Sequence, residues 1–120
     1  MGETLRQRLE LAEEIRETGA TSMPVNLLNP IPGTPLEGTP LISEREVVLS
    51  CALMRLIAPK LTIRFAGGRA RISPEATARM LRGGVNGAIV GDMLTTAGNG
   101  LDSDFELFRS LGYSTARTND

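Results

Sequence analysis

The strongest constraint on this chain is an alternation of two hydrophobic periods. Helical stripes and short β-branched runs succeed one another along nearly all of its 120 residues. Leu5, Leu9, Ala12 and Ile15 recur at helical spacing within 3–18, with Thr4 as a possible cap and Gly19 as a stop. The Arg and Glu residues between them read as a solvent face. Ser22-Met23-Pro24-Val25-Asn26-Leu27-Leu28 reads as a strand, with Pro24 confined to its first part because proline has no N–H to donate. Ser43 opens a second helix over 44–57; Glu46, three residues on, predicts a reciprocal capping box, and Pro59 prevents continuation. Residues 61–65 form a second strand pattern. Ser73-Pro74 then starts a helix over 74–82 that stops at Gly83-Gly84. A third strand, Asn86-Gly87-Ala88-Ile89-Val90, precedes a last helix capped by Asp102 or Ser103 and ended by Gly112.

This order predicts an α/β fold: three parallel strands alternating with helices, joined by right-handed crossovers. Three strands cannot close a barrel, and an open three-stranded sheet would leave two edges exposed. The expected completion is a (β/α)8 barrel, with residues 1–113 as its C-terminal portion and 114–120 as a flexible polar tail. The chain begins at a loop-to-helix junction without a strand before it, as a piece of a larger α/β protein would. Barrel chemistry sits where strands end and loops begin. Asn26, Arg64, Gly67–Arg69 and Asp92 all fall in or just after strands.

Arg64 is the odd residue of Thr62-Ile63-Arg64-Phe65-Ala66-Gly67-Gly68-Arg69. Ile63 and Phe65 share one face of the strand, and Arg64 takes the other. Guanidinium stays protonated at any ordinary pH. Pointing inward, it needs an anionic, hydrogen-bonded or metal-linked partner; pointing outward, it is only solvated. Asn26 is the one strongly polar member of its strand and can donate and accept at once. The loop Asn29–Leu36 after it, with three prolines, is stiff.

Composition removes whole classes of function. One cysteine, Cys51, and no histidine exclude a Cys/His zinc site, a disulfide within the chain and histidine catalysis from these residues. Cys51 sits mid-helix among apolar neighbours and reads as a small buried hydrophobe. A net charge of −1 gives no global field for nucleic acid. No apolar run approaches the roughly 20 residues that span a bilayer, and MGETLRQRLE has no signal-peptide core, so a cytoplasmic location is expected.

Three stretches carry a family resemblance: Met23-Pro24-Val25-Asn26-Leu27-Leu28-Asn29-Pro30-Ile31-Pro32-Gly33-Thr34-Pro35-Leu36, Ile63-Arg64-Phe65-Ala66-Gly67-Gly68-Arg69, and Gly91-Asp92-Met93-Leu94-Thr95-Thr96. In this order and spacing the chain resembles the biotin synthase family of radical S-adenosylmethionine (SAM) enzymes. Met1-Gly2-Glu3-Thr4 resembles the end of that family's stretch after the fifth barrel strand. The resemblance implies sulfur insertion into dethiobiotin. A 4Fe-4S cluster cleaves SAM to a radical that abstracts hydrogen, and a 2Fe-2S cluster supplies the sulfur. It also implies that Arg64 is a ligand of the 2Fe-2S cluster, that Asn26 lies by substrate and SAM, and that Glu3 lies near the SAM adenosyl group. Arg69, Asp92 and Thr95 match recurrent positions with a loop-shaping role. A reductant protein and a homodimeric full-length enzyme are the implied partners.

The chain departs from the family in lacking the CxxxCxxC motif and the cysteines of the second cluster. It therefore reads as a fragment that is inactive alone. Two other readings stay open. One is the C-terminal module of another radical SAM enzyme; the other is a non-catalytic α/β partner-binding module.

Overall fold

The first helix owes its start to side chains rather than to tertiary packing. The Thr4 hydroxyl oxygen accepts a hydrogen bond from the Gln7 N–H, and Gln7 Oε1 accepts one from the Thr4 N–H, which satisfies two of the donors a helix start leaves unpaired. Helix α1 then runs over Leu5–Glu17. The computed structural model describes residues 1–90 and 100–114. After α1 come β1 (Ser22–Val25), α2 (Glu44–Ile57), β2 (Thr62–Phe65), a 3-10 turn (Arg69–Arg71), α3 (Pro74–Gly83), β3 (Gly87–Ala88) and α4 (Leu101–Ser110). The expected alternation of helices and strands is present.

The three strands form one parallel sheet in the order β1-β2-β3. In register, Met23 stands beside Ile63 and Val25 beside Phe65, which has Ala88 on its other side; Ser22 stands beside Thr62, and Pro24 beside Arg64, which has Gly87 on its other side. The first set faces the covered side: Met23, Ile63 and Phe65 are buried, the last two completely. On the second set's side Thr62 and Arg64 are half-buried and Pro24 is exposed. The sheet thus has one closed face and one partly open face, and Arg64 is on the open one. Val47, Cys51, Met54, Ala76, Met80 and Val85 are among the other buried apolar residues. Cys51 is buried as expected, and burial pushes its thiol up to about 11.

Several boundaries differ from the pattern. β1 ends at Val25, not Leu28; past it the Ala66 N–H bonds to the Val25 carbonyl at 3.0 Å and the Leu27 N–H to the Gly67 carbonyl at 2.8 Å before the chain turns at Gly68. β3 covers two residues rather than five. At its start the Asn86 N–H donates to the Ile63 carbonyl and the Asn86 side chain accepts the Ile63 N–H, both at 2.9 Å, so a side chain stands in for one backbone acceptor. The Arg55 guanidinium secures that end of the sheet, donating to the carbonyls of Leu61 (2.6 Å) and Gly84 (2.7 Å) and to Asn86 Oδ1 (3.0 Å).

Two caps are also corrected. Ser43 does cap α2, but Glu46 does not close the box, because its carboxylate is paired with Arg8 at 2.7 Å. Arg8 itself, grouped by pattern with the solvent-facing charges of α1, is buried. Gly100, not Asp102 or Ser103, is the N-cap of α4; Ser103 Oγ donates back to the Gly100 carbonyl at 2.8 Å, and Asp102 lies inside the first turn, where a carboxylate complements the helix dipole. The chain divides into two compact units, Met1–Ile89 and Val90–Asp120. Asp92, Thr95 and the tail beyond 114 lie outside the described residues.

The start of α3 is tied to α2. Ser73 caps α3, and its N–H and hydroxyl both donate to the Glu44 carboxylate, at 2.6 and 2.9 Å. These bonds hold the Glu44 carboxyl below its ordinary value of 4.5. A carboxyl lowered on folding stabilises the native state above that ordinary value and loses the contribution as pH falls through the folded one. The urea midpoint should therefore drop on acidification below 4.5, and Glu44→Gln should flatten that limb by lowering the neutral-pH midpoint toward the acid one.

Candidate functional site

The carboxyl ends of β1 and β2 bring Asn26 and Arg64 onto adjacent strands. Pro24 is the register partner of Arg64, and Asn26 follows it by two residues. Asn26 Oδ1 accepts the Gly67 N–H at 2.9 Å. That bond assigns the amide orientation, because a backbone N–H requires an oxygen. The Asn26 NH2 group is therefore turned away from the loop, on an exposed side chain, as a donor for something else. A side chain at Gly67 would crowd this bond, since its Cβ would lie 3.1 Å from Asn26 Oδ1.

Gly68 is the fixed point of the loop. It has φ +76°, in the left-handed region, and a Cβ there would lie 2.0 Å from the Leu27 carbonyl oxygen. Glycine alone permits both the turn and the close approach. Beyond it the chain enters the 3-10 turn, where Arg69 is buried and its Nη2 reaches the Ile89 carbonyl at 3.5 Å.

Arg64 Nε is buried and, like Ser22 Oγ and Arg71 Nε, has no hydrogen-bond partner among the described residues. Leaving a buried donor unsatisfied costs about 1–3 kcal/mol, more for a charged group. Its neighbour in register is Gly87, where a Cβ would come within 3.0 Å of the Arg64 Cβ and 3.2 Å of Thr62 Cγ2. Glycine at 87 thus leaves room for the Arg64 stem.

Glu3 stands just ahead of the Thr4 cap. Its carboxylate accepts from the Met1 ammonium and from Arg8 Nε at 3.3 Å. The hydrogen bond from the ammonium contributes most to holding its pKa at about 2. Because helices of this topology start where strands end, Glu3 belongs to the same pole as Asn26 and Arg64. No hydrogen bond joins it to either among the described residues. Among those residues, no group of three His, Cys, Asp or Glu side chains is arranged to hold a metal ion, and no helix is long and apolar enough to cross a membrane.

The pattern did not single out Gly87 or Arg8. Gly87 drew no notice because glycine carries no chemistry of its own. Arg8 had a visible signal: it lies three residues after Leu5 and four before Ala12, in phase with the apolar stripe.

Parallel strands with one covered face, and polar groups gathered at their carboxyl ends, define a β/α protein whose site lies at the strand–loop boundary. Residues 24–114 match the Biotin and Thiamin Synthesis associated domain, and the chain belongs to that family. It is 46% identical over all 120 residues to a biotin synthase of Parabacteroides distasonis, and 45% identical over 120 residues to one of Porphyromonas gingivalis. A biotin synthase of Desulforudis audaxviator is 47% identical over 112 residues, 93% of this chain. The chain spans 37%, 36% and 34% of the lengths of these relatives, respectively, and corresponds to their C-terminal part.

Two substitutions separate scaffold from site. Gly68→Ala should lower stability by about 3 kcal/mol, from left-handed backbone strain and the clash with Leu27, in chemical denaturation. Arg64→Met should leave stability unchanged or raise it by about 1 kcal/mol, since it removes an unsatisfied buried donor and keeps the apolar stem. A loss as large as that of a core truncation would mean that Arg64 serves the fold.

Proposed function

We propose that the chain acts in biotin synthesis as the C-terminal part, residues 1–113, of a (β/α)8 radical SAM barrel that inserts sulfur into dethiobiotin. The observation that carries this reading is the buried Nε of Arg64, without a partner among the described residues, on the sheet face away from the core. The relatives named biotin synthase, matched along the whole chain, support it. With the barrel complete, a 4Fe-4S cluster with SAM supplies hydrogen abstraction and a 2Fe-2S cluster supplies the sulfur.

The donor set of this chain fits a part of such a site. Arg64 is a nitrogen donor whose own hydrogen-bond needs are unmet, and an anionic cluster would give its charge the partner that burial demands. Arginine is a weak metal ligand because its lone pair is delocalised, so it would tune charge and potential more than affinity. Thiolates must come from elsewhere in the barrel. Cys51, the chain's only cysteine, is buried in the core with its thiol pushed up to about 11, which keeps it protonated. Asn26 would present its NH2 group to a carbonyl of the substrate or to SAM while its oxygen holds the Gly67 loop. Glu3 would lie at the adenosyl side of SAM. A reductant protein, a homodimeric full-length enzyme and a cytoplasmic setting complete the reading, and the isolated chain is inactive.

The test is Arg64→Met in the complete barrel, with this chain supplying its C-terminal part. After anaerobic reconstitution with iron and sulfide, the absorption and Mössbauer spectra of the 2Fe-2S cluster should change while those of the 4Fe-4S cluster do not. Unchanged 2Fe-2S spectra would remove Arg64 as a ligand. A stable cluster on the 120-residue chain alone would overturn the fragment reading.

A further inference from the structure

We infer that Arg8 is a positioning residue for SAM, acting through the junction Gly2–Glu3 and anchored by Glu46 of α2. This rests on the proposed reading in which Glu3 borders the SAM adenosyl group. Arg8 is the most committed cation at the start of α1: its residue is 8% exposed, and three of its nitrogens are engaged. Nη1 donates to Glu46 Oε1 at 2.7 Å and to Ser50 Oγ at 3.1 Å. Nη2 donates to the Glu3 carbonyl at 3.0 Å, and Nε to Glu3 Oε1 at 3.3 Å. The Ser50 hydroxyl spends its proton on the Glu46 carbonyl at 2.8 Å, so its lone pairs face the guanidinium. The planar fork therefore has α2 on one side and the Gly2–Glu3 backbone on the other.

The distances rank these contacts. The short bond to Glu46 fixes Arg8 to α2, and the Glu3 carbonyl is held at normal length, whereas the Glu3 carboxylate is the loosest partner. Arg8 thus acts mainly on the backbone of Glu3. The guanidinium is the cross-chain tie that sets the height of Glu3 against α2. A ligand edge resting on Gly2–Glu3 would depend on that tie for its alignment.

The test compares SAM and dethiobiotin binding by equilibrium dialysis in the complete barrel carrying this chain. Arg8→Met should weaken SAM binding about tenfold and change dethiobiotin binding by less than about twofold. Arg8→Lys, which keeps charge but not the fork, should fall between. Should Arg8→Met not fold, Glu46→Gln, which keeps a hydrogen-bonding anchor without its charge, should weaken SAM about threefold. SAM binding unchanged in a folded variant, or equal weakening of both ligands, would overturn the inference. Biotin formation by the unaltered barrel tests the function separately. A barrel that binds SAM but forms no biotin sinks the function and leaves Arg8 to the dialysis result; one that binds no SAM sinks both.

Discussion

Everything near the candidate site depends on the parallel register of β1 on β2 and on its continuation past the strand ends. The ladder does not stop at Val25 and Phe65: the Ala66 N–H bonds to the Val25 carbonyl, and the Leu27 N–H to the Gly67 carbonyl. Gly68 can turn there only because it has no Cβ to meet Leu27. One backbone constraint therefore sets the loop height, the Asn26–Gly67 bond and the place of Arg64 beside them. A slip of one residue would move Arg64 into the covered face and Ile63 out of it.

A second layer of order comes from the first turns of α2. Glu44 accepts from Ser73 at the start of α3, and Glu46 pairs with Arg8 at the start of α1. Two carboxylates two residues apart in the first turn thus hold both neighbouring helix starts, at a helix end where negative charge is favoured anyway. These contacts lie at the pole where the strands end. The scaffold is pinned where a β/α site needs precision, while the opposite end of β2 and β3 is secured by Arg55 and Asn86.

The polar groups at this pole are a guanidinium whose Nε has no partner among the described residues, an amide with its NH2 turned outward and an acidic junction, while the single thiol is in the core. The chain spans 37% of the length of a relative named biotin synthase.

Much of this was legible in the residues, because local periodicity is a local property. The alternation of periods specified the helices, the parallel sheet and the face taken by Arg64, and the caps Thr4, Ser43 and Ser73 were readable from short-range hydrogen-bond chemistry. The ends of β1 and β3 were not, since strand length is decided by the partner: the chain beyond β2 turns at Gly68, and at the start of β3 the Asn86 side chain stands in for one backbone acceptor. Glu46 looked like a capping-box residue, but tertiary structure gave its carboxylate to a buried Arg8 some 38 residues away. The sequence by itself determined which groups could react; only the tertiary structure decided which were already paired and which, like Arg64 Nε, were left without an acceptor. Pairing is a matter of distance across the fold, and no local pattern carries that distance.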